Sequence, residues 1–189
     1  MILPIVKFGH PVLRQKGARI EKITPAVQQL ISDMFETMYD AAGIGLAAQQ
    51  IGKALQLTVI DVRSVKDRPS TLDLTGQAAD VAAFMPLVLI NPQLRPFGAP
   101  ASGPEGCLSF PEIYADITRL DSVEVEALNA KGESLHFKAG GLLARAIQHE
   151  VDHLNGILFI DRMSSEEKAA VKSDLDELQH ETKAALAKR

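Results

Sequence analysis

The segment from Gly141 to Leu154 constrains the fold more than any other part of the chain. Leu142, Leu143, Ala146, Ile147 and Leu154 put apolar side chains nearly all round a helix. Such a helix belongs in the middle of a core, not on a surface. Gly140-Gly141 breaks the preceding strand and Asn155-Gly156 ends the helix. The same segment carries Gln148-His149-Glu150-Val151-Asp152-His153, an HExxH sequence. Four-residue spacing projects both imidazoles from nearly one face, one turn apart. Two imidazoles so placed can hold a divalent metal, and the adjacent glutamate can take a proton from metal-bound water. The competing reading is a pair of core histidines satisfied by hydrogen bonds, with Glu150 on a solvated edge.

The rest of the chain supplies material to wrap that helix. Thr24-Pro25 reads as a helix start, and Val27, Leu30, Ile31, Met34 and Met38 recur at helical spacing until Gly43. Leu55 to Val62 and Leu87 to Ile90 read as strands. Between them, Arg63 to Pro86 has no clear period and is expected to be a surface insertion with at most a turn of helix. Ser122 to Leu128 alternates apolar and acidic residues, Asn129-Ala130-Lys131-Gly132 turns, and Ser134 to Lys138 returns. Ser164 and Glu167 form a capping box for a last helix reaching nearly to Arg189, with Val171, Leu175, Leu178 and Leu186 as its apolar stripe. Strands grouped apart from a few helices predict an α+β fold. A chain of 189 residues without a linker or repeat is expected to be a single domain.

Composition narrows the function classes. A net charge of −4 argues against a general nucleic-acid surface. No apolar run reaches transmembrane length, and the opening seven residues are too short for a signal core. The expectation is a soluble, cytosolic protein. Its single cysteine, Cys107, forbids an internal disulfide and is either a small buried apolar residue or a ligand or nucleophile in a reducing compartment.

Two histidines and a water do not complete a catalytic metal site, which normally takes a third protein ligand. The extended pattern HExxHxxGxxH matches through Gly156, but its last histidine would fall at Phe159. A glutamate from a later helix, Glu166, Glu167 or Glu177, is one remaining option, and the Cys107 thiolate is the other. Cys107 lies in Gly103-Pro104-Glu105-Gly106-Cys107-Leu108-Ser109-Phe110-Pro111, whose glycines and prolines predict a tight connection with free backbone N–H groups, as an oxyanion requires. Gly43-Ile44-Gly45-Leu46-Ala47-Ala48-Gln49-Gln50-Ile51-Gly52 lacks the lysine and spacing of a phosphate loop. It reads either as a connection packed by small residues or as a loop against which an extended ligand lies, with a glutamine amide as donor.

Three of these stretches, Gly43 to Gln50, Glu105 to Ser109 and Gln148 to His153, resemble in order and separation the three signature motifs of peptide deformylases. His10-Pro11-Val12-Leu13-Arg14 resembles the family's N-terminal segment, so the likeness spans roughly residues 4 to 163. The resemblance implies antiparallel or mixed sheets packed around a central HExxH helix, with an N-terminal helix and a C-terminal helix at about 164–189. It implies one divalent ion held by Cys107, His149 and His153, most typically Fe2+, with Zn2+, Ni2+ or Co2+ able to occupy the same ligands.

The implied substrate is an N-formylmethionyl nascent peptide. Glu150 would be general base, with Gln50 and the Leu108 backbone N–H as oxyanion donors. Gly43, Ile44 and Gly45 would pair with the peptide in a strand-like manner, and Ile44 and the helix face around Ala146 would wall the methionine pocket. Arg119 would pair with Glu105 or lie free on the surface, Arg145 would line the pocket mouth, and Tyr114 stands where some relatives carry a substrate-contacting arginine. In bacterial relatives such a C-terminal helix can dock at the ribosome. Here Ser164 to Arg189 has six acidic and five basic side chains, which favours packing against the body over contact with RNA. The rival readings are an HExxH endopeptidase using a later glutamate, and a silent relative that only binds metal or formyl peptides.

Overall fold

In the computed structural model, which describes residues 1–188, the Thr24 hydroxyl accepts a hydrogen bond from the Val27 N–H and Pro25 opens helix α1 (Pro25–Asp40). The chain then forms a short strand β1 (Gly45–Ala47), a 3-10 turn (Ala48–Ile51) and strand β2 (Leu57–Ile60). Strands β3 (Ser70–Leu74) and β4 (Gln77–Ala78) and one helical turn, α2 (Val81–Phe84), follow. Two long strands, β5 (Leu87–Cys107) and β6 (Phe110–Leu128), lead to β7 (Ser134–Gly140) and the HExxH helix α3 (Gly141–Leu154). Two more helices, α4 (Ser165–Ala170) and α5 (Lys172–Ala187), close the order.

The strands make a seven-stranded sheet in the order β1-β2-β5-β6-β7-β3-β4, antiparallel throughout. The fold is α+β, as the grouping of strands predicts. Strands β5 and β6 run much further than the alternation of Ser122 to Leu128 suggests. Beyond Asn91, β5 pairs with β6 alone, so one row of its N–H groups needs no ladder partner. That accommodates Pro92, Pro96, Pro100 and Pro104, the residues that hide the strand from a sequence reading.

The insertion is also more ordered than its sequence suggests. Its β3 pairs with β7, with Leu72 opposite Ala139, and Leu72 and Met85 enter the main core. Asp73 accepts the Gly76 N–H across the intervening turn, a local device without a hydrophobic period. The last helix differs too. It is interrupted at Val171, where the N–H···O bond to Glu167 lengthens to 3.3 Å.

Every residue of α3 from Leu142 to Leu154 is buried. Leu143, Ile147 and Leu154 pack against Leu89, Val123, Val125 and Phe137 of the sheet. Helix α1 covers β1, β2 and the start of β5 with Ile31, Met34 and Met38. Behind the histidines a third cluster joins Phe110, Leu158, Phe159 and Leu13, with Phe110 and Phe159 edge to face at 5.1 Å. Leu175 docks α5 on this cluster, and Gly9, at φ 104°, lets the N-terminal segment pass beneath it. A Cβ on Gly9 would lie 3.0 Å from the Gln179 carbonyl. Among the described residues no helix is long and apolar enough to cross a membrane.

Leu143 is fully buried at the centre of the largest cluster. Leu143→Ala is expected to cost about 2–5 kcal/mol, read as a lowered urea midpoint with an unchanged slope.

Candidate metal centre and active site

Cys107 ends β5, and the two-residue turn Leu108-Ser109 sends the chain back as β6 with Phe110 paired to Cys107. The thiol therefore sits at the tip of a ribbon lying across α3. Its Sγ is 3.3 Å from His153 Nε2, and ligand atoms of Cys107, His149 and His153 all lie within 4.8 Å of one another. The two imidazole rings are 5.1 Å apart, and Phe159 lies against His149 at 6.0 Å. The sequence placed Phe159 where an extended protease motif would have a third histidine; here it is a wall of the site.

His149 turns Nδ1 to Glu105 Oε2 at 2.9 Å, which leaves Nε2 facing the thiol and His153. Glu105 is itself buried and accepts from Arg119 Nε and Nη2 at 2.6 and 3.0 Å and from Arg145 Nη1 at 2.9 Å. Arg119 reaches on to Asp152 at 2.8 Å, and Arg162 grips Asp152 with two bonds of 2.6 Å. Of the two readings of Arg119, the pairing with Glu105 is the one observed. Burial alone would raise the Glu105 carboxyl, but hydrogen bonds from His149 and Arg119 outweigh it and hold the group at about 2.

The donor set suits a borderline-soft divalent cation: one thiol and two imidazoles, closely grouped and largely out of solvent. Buried His153 Nδ1 and Glu150 Oε2 have no protein partner. Burial would lower His149, yet contact with Cys107 and Glu105 pushes it well above its ordinary value, while burial and the His149 charge drive His153 well below.

Glu150 points from α3 toward β1. A Cβ on Gly45 would stand 2.7 Å from its Cδ and 2.8 Å from its Cγ, so only glycine leaves room for this carboxyl. Burial raises Glu150 to about 7, although the charge of His149 opposes the shift. Gln50 is held by its own backbone turn: Oε1 accepts the Ala47 N–H at 2.8 Å, which aims Nε2 at Cys107 Sγ, 3.4 Å away. A cleft of about 610 Å³ opens over these groups, bounded by Ile44, Leu108, Tyr114, Leu142 and Ala146. Gly43 and Gly45 line the same cleft, and β1 is an edge strand of the sheet.

The sequence model of the family described as polypeptide deformylase matches residues 2–169. The chain belongs to the polypeptide deformylase family. It is similar to a peptide deformylase of Methylacidiphilum infernorum, at 46% identity over 94% of this chain and 93% of that one. Among solved structures it is similar to a peptide deformylase from Legionella pneumophila, with a TM-score of 0.79 at 35% identity over 95% and 96% of the two chains. It is also similar to one from Synechococcus elongatus in complex with actinonin, with a TM-score of 0.75 at 39% identity over 95% and 85%.

This deformylase is accordingly a metal-dependent hydrolase that removes the N-formyl group from nascent polypeptides. A later glutamate has no part in the cluster, since Glu166 and Glu167 belong to α4 and Glu177 to α5, while Cys107 stands beside the histidines. The sequence reading missed the Asp152 and Arg162 arms of the charge network. Asp152 falls three residues after His149 on the same helix face, which is the signal that was available. It also missed Lys7, whose ammonium donates to the Leu108 carbonyl at 2.8 Å, and no local pattern announces that contact. The insertion does reach the cleft: Arg68 lines it and donates to the Pro104 carbonyl at 3.3 Å.

Glu105 gives a pH signature of definite sign. Its folded value of about 2 lies below the ordinary 4.5, so its stabilisation is present above 4.5 and lost as pH falls through 2. Wild type should therefore lead Glu105→Gln in stability at pH 6, with the gap narrowing toward pH 2, as measured by urea unfolding across that range.

Proposed function

We propose that Cys107, His149 and His153 hold the ion, that Glu150 is the general base and acid, and that Gln50 Nε2 and the Leu108 N–H are the oxyanion donors. The observation that carries this reading is the closed grouping of the three ligand atoms beside a buried glutamate whose Oε2 has no protein partner. When bound, the ion would supply Lewis acidity toward water and the formyl carbonyl. Resemblance to the family implies Fe2+ as native ion, and a thiolate with two imidazoles also accepts Zn2+, Ni2+ or Co2+.

The chain's own groups then have separate tasks. Glu150, raised to about 7 by burial, is poised to accept the proton of the attacking water on Oε2 near neutral pH. It then delivers that proton to the leaving amide nitrogen, which frees formate and the new N-terminus. Gln50 is pre-aimed by its bond to Ala47, so its amide N–H needs no reorientation as charge develops on the formyl oxygen. Gly43 and Ile44, leading into edge strand β1, and Gly45 at its start would pair with an extended peptide, which would lie along the sheet as one more strand. Ile44, Leu142 and Ala146 offer the first side chain an apolar wall. Actinonin, bound by the Synechococcus elongatus relative, would occupy this same cleft.

Residues 1–189 are read as one domain, a catalytic body of about 4–163 with a C-terminal helix of about 164–189. The compartment is the cytoplasm, and the partners are N-formylmethionyl nascent chains. The docking of Leu175 on the Phe110 and Phe159 cluster favours a packing role for α5, and ribosome contact is a secondary role of its outer face.

Glu150→Gln should lower formyl-Met-Ala turnover by about 10²- to 10⁴-fold while metal analysis finds the ion retained. Cys107→Ser should lose the ion as well as the activity, and activity within tenfold of wild type in Glu150→Gln would remove the general base. Deleting residues 170 to 189 should reduce co-sedimentation with ribosomes. Unchanged co-sedimentation would leave the helix a packing element only.

A further inference from the structure

The metal triad is assembled from two pieces, a ribbon that brings Cys107 and a helix that brings both histidines. What holds one in register with the other is therefore part of the site. Arg119 lies on β6 and Glu105 on β5, so their pair closes the ribbon on itself, while the Arg119–Asp152, Glu105–His149 and Leu120–Gln148 bonds reach α3. Arg145 is different, for it stands on α3, one turn before His149 and on the same face. Its Nη1 donates to Glu105 at 2.9 Å and to the Ile117 carbonyl at 2.6 Å, and its Nη2 donates to the Ala101 carbonyl at 2.7 Å. One guanidinium thus ties α3 to β5, to β6 and to the carboxylate that orients His149. A Cβ on Gly103 would lie in ordinary contact with Nη2, at 3.4 Å.

From this we infer that Arg145 is a positioning residue for the metal centre, beyond any part it has in lining the cleft. With Asp152 it brackets His149 by about one turn on either side, so the ribbon is held to the helix both before and after that residue. Without Arg145 the ribbon keeps its bonds to Asp152, His149 and Gln148, but Glu105 Oε1 loses a donor, and the Ala101 and Ile117 carbonyls lose theirs. Cys107 would then move relative to His149 and His153, and the ion would be released faster. A lysine there keeps the charge but not the planar fork that reaches a carboxylate and two strands together. Geometry and charge are therefore separable. Removing a positive charge beside a cation would by itself slow the ion's loss, which is the opposite of what lost positioning predicts.

The inference rests on Cys107, His149 and His153 being the ligands, and the experiment keeps the two questions apart. Wild type, Cys107→Ser, Arg145→Lys and Arg145→Leu are loaded with Co2+ without oxygen. The absorption spectrum and the rate of cobalt loss to EDTA are recorded, with thermal unfolding as a check on folding. Wild type should show a thiolate-to-cobalt charge-transfer band that Cys107→Ser lacks; its absence would overturn the ligand set and this inference with it. Given that band, Arg145→Lys and Arg145→Leu should lose cobalt about tenfold faster or more, with shifted d–d bands. Release at the wild-type rate with unchanged bands in a folded Arg145→Lys protein overturns the positioning role, whatever the fate of Arg145→Leu.

Discussion

A single buried carboxylate, Glu105, organises this molecule. An ionised carboxylate withdrawn from water costs several kcal/mol unless charged donors surround it. Glu105 meets that demand with Arg119, Arg145 and His149, drawn from β6 and α3. Those bonds are satisfied together only when the ribbon lies across the helix in one register. That register is also the one that brings Cys107, two residues further along β5, to the histidines. Stability and site geometry are thus two consequences of the same contacts.

The second constraint is space around Glu150. Burial raises this carboxyl to about 7 and leaves one of its oxygens without a protein partner. Strand β1 meets the constraint by presenting Gly45, which yields the volume of a Cβ to the glutamate. The same glycine leaves the strand edge open toward the cleft. On the proposed mechanism, the residue that shelters the base also lets a peptide backbone approach it, which places a small acyl group between the edge strand and the metal ligands.

Legibility differed from element to element for physical reasons. Helices α1 and α3 declared themselves because their caps and apolar periods are local properties, and the observed bounds follow Thr24-Pro25 and Gly140-Gly141 closely. The strands that carry Cys107 did not, because prolines conceal a strand whose N–H groups face no neighbour. The insertion was underrated because β3 is ordered by pairing with β7, a contact more than sixty residues away in the chain. Among site residues, His149, Glu150 and His153 were evident from spacing within about one turn, whereas Arg162 folds back on Asp152 from beyond the helix end and Lys7 reaches Leu108 from a distant part of the chain.

By itself the sequence determined that a buried helix would present two imidazoles on nearly one face, with a glutamate next to the first, since residues four apart lie one turn apart. It also narrowed the third ligand to a cysteine or a later glutamate. Tertiary structure alone decided which nitrogen of His149 is free, that Gln50 aims its amide at the sulfur, and that Arg145 joins helix to ribbon. These depend on groups distant in sequence meeting at hydrogen-bond range, and only the packing of β5 and β6 across α3 brings them there.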